Sequence, residues 1–292
     1  MRRRASLDQR AADALGVVAP EQSCAQESPH APASSGVAAV VAAASSVRGC
    51  GEQLAAELGV PCVDAADAAS LADELVLWWD DAGLALRRSE LMLRADFSDL
   101  TKRIKPANLG RELIVRAAKL KDAARLGRAP VVVDATAGLG TDSFLLAAAG
   151  WEVHLFESDP VIAALLIDAC DRARRIPGLA DIAARMHPIS GDSVAALPTL
   201  RGAVDVVYLD PMFPERTKSA AVKKKFQLLH LLEHPCANQE ELLSAALAAE
   251  PRKVVVKRPI KGPYLAGVTP SHSLKGKAVR FDCIVPPQQH RA

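Results

Sequence analysis

The sequence predicts an α/β fold organised around a parallel sheet. From residue 131 onward, short apolar strands alternate with helical segments. Strands that are apolar on both faces are typical of a parallel sheet covered by helices on each side. A glycine-rich turn, Gly138-Leu139-Gly140, joins the first of these strands to a helix, and such turns bring backbone N–H groups close to a ligand. Together these features predict a ligand site at the carboxyl edge of the sheet.

The second part of the chain is expected to hold most of the secondary structure. We expect strands at 131–134, 152–156, 186–189, 204–209, 253–256 and 278–285. We expect helices at 111–125, from the glycine turn to 149, and at 160–175, 222–232 and 240–249. Pro160 favours a helix start because its ring fixes a helical φ angle, and Gly150 favours a helix end.

A small N-terminal α/β subdomain is predicted over 36–105. An apolar run at 37–44 indicates a buried strand, and helical spacing at 52–58 stops at a glycine. Two apolar runs flank Asp80-Asp81-Ala82-Gly83, a sequence typical of a hairpin turn. The run at 91–95 could add a further strand to this small sheet.

The rest of the domain organisation follows from composition. Residues 1–35 are rich in Ala, Ser, Pro and Gln without a lasting period, so we expect a disordered leader. The main domain is then expected over 106–292. Since no apolar run approaches the ~18 residues that a membrane span needs, none is expected.

Charge and cysteine usage narrow the function classes. The 36 Lys and Arg residues nearly balance 34 Asp and Glu residues, which excludes a uniformly basic nucleic-acid coat but leaves room for a local basic face. Aromatic residues make up 4% of the chain, which disfavours a sheet covered with base-stacking rings. Six scattered cysteines without a C-x-x-C pattern favour reduced thiols in a cytoplasmic protein and disfavour a zinc knuckle or disulfide frame.

Acidic residues follow successive strands of the predicted sheet. They are Asp134, Glu157, Asp192 and Asp210, which should meet at one edge. Glu157 could accept hydrogen bonds from both ribose hydroxyls of a nucleoside. Asp192 could accept from an adenine amino group, with Ser193 offering its backbone N–H. Asp142 follows the glycine turn and suits a cationic ligand group, such as the amino group of S-adenosylmethionine, better than a pyrophosphate.

Each of these signals has a structural alternative. A glycine turn occurs in many α/β proteins, and Glu157 could be a surface carboxylate at a strand end. Asp192 or Ser193 could cap a helix N-terminus, a role that both residue types fill routinely.

The most specific signal is the loop Asp210-Pro211-Met212-Phe213 after the fourth strand. It resembles the (Asn/Asp)-Pro-Pro-(Tyr/Phe) loop of methyltransferases that modify exocyclic amines. A base amine is a poor nucleophile because its lone pair is delocalised into the ring. The Asp210 carboxylate and the Pro211 carbonyl can accept its two hydrogens and draw the nitrogen toward tetrahedral geometry, while Phe213 offers a stacking face. The alternative is a proline-rich turn after a strand.

Several runs carry a closer resemblance. They lie at 134–140, 160–166, 208–214, 218–224 and 254–259. In these runs the chain resembles the small-subunit ribosomal RNA methyltransferase J family, over about 36–285 and most strongly over 131–259. The resemblance implies a Rossmann-like class I methyltransferase sheet. It also implies transfer of a methyl group from S-adenosylmethionine to N2 of a guanine in 16S rRNA, free or within the small ribosomal subunit.

The resemblance also implies the binding residues. The positions that the resemblance places at the cofactor are Thr141, Asp142, Glu157, Ser158, Asp192, Ser193 and Asp210. The strand end and glycine turn add Asp134, Gly138 and Gly140 to the residues expected to contact the cofactor. The family often has Arg where Thr141 stands and Arg-Asn at Ser158 and Asp159. An acid–Ser pair at 192 and 193 replaces a Ser pair in some members.

Two basic clusters flank the Asp-Pro loop. The residues expected to bind RNA phosphates are Lys218, Lys223, Lys224, Lys257 and Arg258. A third basic segment spans 102–128. His230 and His234 match an H-x-x-E-H zinc pattern, but Pro235 breaks the helix and no third ligand follows, so no metal is expected.

Two other functions stay open at the level of sequence. The same loop serves methyltransferases that act on a DNA adenine or cytosine amine, or on a protein Gln amide. A non-enzymatic RNA-binding module with the same fold is the third reading, and the intact series of acids argues against it.

Overall fold

Two β-sheets organise the protein in the computed structural model, which describes residues 36–212, 226–232 and 238–287. The strands in these ranges are β1 (Val40–Ala42), β2 (Cys62–Asp64), β3 (Val76–Asp80), β4 (Gly83–Arg88), β5 (Leu91–Leu93), β6 (Val131–Asp134), β7 (Glu152–Glu157), β8 (Met186–Ser190), β9 (Val206–Leu209), β10 (Lys253–Pro259), β11 (His272–Lys275) and β12 (Val279–Ile284).

The α-helices lie mainly between the strands of the second sheet. They are α1 (Arg48–Leu58), α2 (Pro106–Leu109), α3 (Leu113–Ala118), α4 (Thr141–Ala148), α5 (Pro160–Arg174), α6 (Ala180–Ala183), α7 (Ser193–Ala196), α8 (Phe226–Leu229) and α9 (Gln239–Ala248). Among the described helices, none is long and apolar enough to span a membrane.

The larger sheet has seven strands in the order β11-β12-β10-β9-β6-β7-β8. Strands β8, β7, β6, β9 and β10 are parallel, and β12 runs antiparallel between β10 and β11. The predicted α/β fold with a parallel sheet is therefore confirmed. The chain passes from β6 to β7 and β8 on one side, and then returns to β9 on the other side of β6. Ligands of open α/β sheets bind at such a switch point.

The central strands are apolar because helices cover both faces of the sheet. Val132, Val133, Val206 and Val207 are fully buried and divide between cores on the two sides. Gly140 begins α4 with a φ of 72°, a conformation that favours glycine.

Gly140 also packs too closely for any larger residue. A Cβ there would lie 2.6 Å from Leu166 Cδ1 of α5. This glycine therefore lets the start of α4 approach its neighbour.

The smaller sheet forms in the region where the sequence predicts the N-terminal subdomain. Its order is β2-β1-β3-β4-β5, with parallel pairing around β1 and antiparallel pairing from β3 to β5. The predicted hairpin is present between β3 and β4, and α1 ends at Gly59 with a φ of 68°. Apolar residues of this sheet share one core with Val161, Ile162 and Leu165 of α5.

The prediction of one helix over 111–125 is wrong. Helix α3 ends at Ala118, and the chain turns at Lys119. The buried Lys253 ammonium donates to the carbonyl oxygens of Ala117, at 2.8 Å, and Lys119, at 2.7 Å. A side chain from the distant strand β10 thus binds the carbonyls at the end of this helix. Local sequence periodicity contains no information about such a contact.

One strand was missed by the sequence analysis, and two predicted segments are not covered by the described residues. Strand β11 was not expected, because His272–Lys275 has little apolar character. The expected leader at 1–35 and the start of the helix expected at 222–232 lie outside the described residues.

Candidate active site

Asp134 closes β6 and shapes the turn that follows it. Its carboxylate accepts a hydrogen bond from Ser143 Oγ at 2.5 Å and from the Thr136 backbone N–H at 3.1 Å. Burial raises the pKa of Asp134 to about 7, although both hydrogen bonds oppose that rise. The residue is 1% exposed, so its carboxylate holds the turn from below and does not reach the surface.

Glu157 braces the glycine turn from the next strand. Its carboxylate oxygens accept from the backbone N–H groups of Gly138, at 2.8 Å, and Asp159, at 2.9 Å. Burial raises the pKa of Glu157, and these backbone hydrogen bonds oppose the rise. Gly138 has a φ of 54°, and open space lies where its Cβ would stand. At Gly138 the main chain of the turn is therefore directly accessible at the carboxyl edge of the sheet.

The end of β8 combines a cap with a tie between loops. Asp192 accepts from the Val194 N–H at 2.8 Å and caps α7, which is the structural alternative considered for this residue. Ser193 is buried, and its hydroxyl donates to the Ala135 carbonyl at 2.8 Å, joining the loops after β8 and β6. Thr141 and Ser158 are exposed at the same edge.

A cluster of charges lies where β9 and β10 end. The Lys257 ammonium lies 2.8 Å from Asp142 Oδ2 and 2.9 Å from Asp210 Oδ2. The Tyr208 hydroxyl donates to the same Asp142 oxygen at 2.7 Å. We call Asp142, Asp210 and Lys257 the site cluster; it links the first turn of α4 to the loop after β9.

The surroundings of Lys257 and Tyr208 shift the pKa of each group. Burial alone lowers the pKa of Lys257, but the carboxylates of Asp210 and Asp142 outweigh it, so that pKa stands above its usual value and the amine is a cation. Burial and the neighbouring carboxylates raise the pKa of Tyr208, so its hydroxyl is a neutral donor.

Asp210 is held from a second side as well. Its backbone N–H donates to Thr136 Oγ1 at 2.6 Å, so the loop after β6 fixes the main chain of the Asp-Pro loop. Pro211 is buried. Phe213, the third residue expected to frame a substrate base, lies outside the described residues.

The structure separates the residues expected to bind RNA. Lys257 belongs to the site cluster, with its ammonium on two carboxylates. Arg258 is 1% exposed, and its Nε donates to the Pro263 carbonyl at 2.7 Å. Burial and Arg280 lower the pKa of Arg258 to about 10. Its position does not favour contact with RNA.

Other expectations at this edge are only partly covered. The cations expected at Lys218, Lys223 and Lys224 lie outside the described residues, as does His234 of the zinc pattern. In the ranges that are described, no group of three or more His, Cys, Asp and Glu side chains could hold a metal ion.

Sequence reasoning missed Thr136, Tyr208 and the place of Lys257 in the site. The pairing register of β10 with β9 would have revealed the position of Lys257. Val256 pairs with Leu209, so Lys257 lies beside Asp210 once β10 and β9 are taken as parallel neighbours.

The donor set of this edge fits S-adenosylmethionine. Open space at Gly138 allows a ligand to approach the main chain, as the nucleoside-binding loops of such sheets require. The acids Asp142, Glu157, Asp192 and Asp210 give the edge a negative character that suits a ligand with ammonium and sulfonium groups.

Comparisons with known proteins agree with this geometry. The model of a family described as "Putative SAM-dependent methyltransferase" matches residues 66–286. The chain is 44% identical over 242 residues to the ribosomal RNA small subunit methyltransferase J of Thioalkalivibrio sulfidiphilus, covering 80% of this chain and 92% of that protein. It is 52% identical to the protein of the same name from Pseudomonas aeruginosa, covering 53% of this chain and 60% of that one.

A solved structure resembles the whole fold. It is the crystal structure of a SAM-dependent methyltransferase from Neisseria gonorrhoeae, with a TM-score of 0.63 and 31% identity over 86% of this chain and 97% of that chain. Fold, acidic edge and relatives agree: this chain belongs to the ribosomal RNA small subunit methyltransferase J family of enzymes, whose cofactor is S-adenosylmethionine.

Proposed function

We propose that this enzyme transfers a methyl group from S-adenosylmethionine to the exocyclic N2 of a guanine in 16S rRNA, in the cytoplasm. The observation that carries the proposal is the position of Asp210. Its carboxylate is tied to Lys257 and its backbone to Thr136, beside the glycine turn. The relatives named as ribosomal RNA small subunit methyltransferases support the choice of substrate.

Asp210 and Pro211 are the residues proposed to prepare the amine. The carboxylate and the Pro211 carbonyl accept from its two hydrogens and so free the nitrogen lone pair, and Phe213 stacks on the base. The nitrogen forms a bond to the methyl carbon as the carbon–sulfur bond breaks, and the alkylated nitrogen then loses one proton. Catalysis is mainly orientation with electrostatic help, and the bound cofactor supplies an activated methyl group.

The cofactor is proposed to lie along the edge from β8 to β9. The residues proposed to hold it are Asp134, Gly138, Gly140, Thr141, Asp142, Glu157, Ser158, Asp192, Ser193 and Asp210. Asp134 and Glu157 act by fixing the turn, since their carboxylates hold its backbone and side chains.

A carboxylate at position 210 also suits guanine. The Watson–Crick edge of guanine places the N1–H donor next to the N2 amine, so one carboxylate can accept from both. The base must leave its stack to reach the site, as in other enzymes that act on a single base.

RNA phosphates need cations that reach solvent. Lys102 and Lys105 are exposed, a few residues after Phe97, whose ring stacks on Phe144 of α4 with centroids 4.6 Å apart. Arg103, which lies between the two lysines in sequence, is paired with Glu112 through two hydrogen bonds, at 2.8 and 2.7 Å. We propose that Lys102 and Lys105 contribute to RNA binding with Lys218, Lys223 and Lys224.

The domain boundary is also a proposal. We infer that 36–105 form a small subdomain and 106–292 the methyltransferase domain, because one sheet ends at β5 and the other begins at β6. The matched family region, 66–286, includes parts of both.

The test is a labelled methyl-transfer assay on undermethylated 30S particles and naked 16S rRNA in parallel. Nucleoside mass spectrometry should identify N2-methylguanosine, and Asp210→Ala, which removes the acceptor, should reduce transfer at least about a hundredfold. Methylated adenine, cytosine or Gln with unmodified rRNA would replace the proposal by one of the other amine substrates.

A further inference from the structure

Lys257 occupies the junction between the two loops that the reaction uses. It lies on β10 one residue after Val256, which pairs with Leu209 of β9. Its side chain therefore stands beside Asp210. The side chain is 26% exposed, whereas that of Asp142 is 17% exposed and that of Asp210 is 39% exposed.

The bonding of Lys257 is specific to the site. An ammonium group has three N–H donors, and the Asp142 and Asp210 carboxylates each lie within 2.9 Å of it. Tyr208 donates to the same Asp142 oxygen, so that oxygen is fixed between a phenol and an ammonium. Asp142 is thereby immobilised and can serve as a fixed anchor for Lys257.

The charges of this arrangement matter as much as its geometry. Two carboxylates close together repel one another unless a cation lies between them. Lys257 is a cation that bridges this pair. Without it, the Asp210 carboxylate would turn away from Asp142, and an acceptor aimed at an amine would be misplaced.

We propose that Lys257 is a positioning residue for methyl transfer: its ammonium fixes the Asp210 carboxylate relative to Asp142, and so ties the loop that orients the substrate amine to the helix that follows the cofactor turn. This proposal rests on the proposed function for the identity of the amine. It assigns Lys257 to the reaction site and withdraws it from the RNA phosphate contacts expected from sequence.

The proposal makes a kinetic prediction. Lys257→Ala should lower kcat about a hundredfold, the scale of a misplacement of about 1 Å, while KM for RNA changes less than about threefold. Lys257→Arg should recover part of kcat, because a guanidinium can also bridge two carboxylates. Lys277→Ala, an exposed lysine in the turn before β12, is the control and should match the wild type.

A binding measurement tests the same proposal without catalysis. Calorimetry compares S-adenosylmethionine, whose sulfur is cationic, with its demethylated product, whose sulfur is neutral. Removing the Lys257 cation leaves the site more negative, so Lys257→Ala should favour the cationic form over the neutral form about fivefold more than the wild type does. A purely structural role would weaken both ligands equally.

The outcomes separate the possibilities. A loss confined to KM for RNA, with a weaker salt dependence, would make Lys257 a phosphate contact and overturn the proposal. An unchanged kcat and an unchanged ratio of the two cofactor affinities would also overturn it. If Lys257→Ala does not fold, Lys257→Gln takes its place with the same readouts. A wild-type enzyme inactive on rRNA would defeat the proposed function alone, since the calorimetry needs no RNA.

Discussion

Neighbouring residues of β10 enter two charge clusters of opposite composition. Lys257 joins the site cluster, in which two carboxylates share one ammonium. Arg258 belongs to a second group with Arg280 and Asp282, which we call the return cluster. In it Asp282 pairs with Arg280 at 3.0 Å and attracts the neighbouring Arg258 guanidinium electrostatically. Side chains alternate across a strand, so adjacent residues face different surroundings. Two neighbouring residues of equal formal charge therefore differ in their partners: Lys257 bridges two carboxylates at the candidate site, and Arg258 holds the loop after β10.

Burial marks the difference between the clusters. The side chains of the site cluster are 17–39% exposed, whereas Arg258, Arg280 and Asp282 are 1, 5 and 3% exposed. Arg280 also donates to the carbonyls of Pro259, at 2.9 Å, and Gly262, also at 2.9 Å. The return cluster thus fixes the turn that follows β10.

The largest expected effect tests this contrast through stability. Asp282→Asn should lower the free energy of unfolding by about 3 kcal/mol, because it leaves the buried Arg280 guanidinium without its paired carboxylate. Asp142→Asn in the partly exposed site cluster should cost less, about 1 kcal/mol. Urea unfolding followed by circular dichroism measures both free energies. Equal losses would contradict the claim that the buried return cluster contributes more to stability than the site cluster.

The sequence predicted the frame of the molecule better than the use of its charges. Apolar strands, Gly140 and the run around Asp210 correctly predicted the parallel sheet and the placing of acids at its edge. The sequence predicts one basic cluster at Lys257 and Arg258, because a list of charged residues contains neither strand register nor the direction in which each side chain points. Lys253 ends α3 from 134 residues away in sequence, and no local pattern reports such a contact.

A second prediction concerns Asp134, the buried acid beneath the site. Its pKa is raised to about 7 in the folded protein, so folding favours its protonated form. That contribution is complete below the unfolded pKa near 4 and is lost as pH rises through about 7. From pH 6 to pH 8 the free energy of unfolding should fall by about 1.4 kcal/mol more in the wild type than in Asp134→Asn.

Urea titrations at the two pH values measure this difference. Asn at position 134 keeps an acceptor for the Thr136 N–H and does not titrate, so it is the matched control. Parallel pH dependence in the two proteins would contradict a raised Asp134 pKa. The expected difference between the two proteins would show that burial also perturbs an acid outside both clusters.

The smallest expected effect concerns RNA. If neither Lys257 nor Arg258 binds phosphate, exposed cations nearby should do so. The double variant Lys102→Ala with Lys105→Ala should weaken rRNA binding about fivefold and lower the slope of log affinity against log salt by about 1.4. Arg88→Ala with Arg175→Ala, an equal change of charge on exposed residues, is the control; filter binding that weakens equally in both would indicate a diffuse charge effect.

Helix α5 divides its apolar residues between two cores. Leu165 packs with the core of the small sheet, while Leu166, its neighbour, lies against Gly140 at the cofactor turn. A shortened protein that began after β5 would bare one flank of this helix to water. Repacking that flank would also disturb the cofactor turn. Removing or replacing the small sheet is therefore expected to require compensating changes at the cofactor turn.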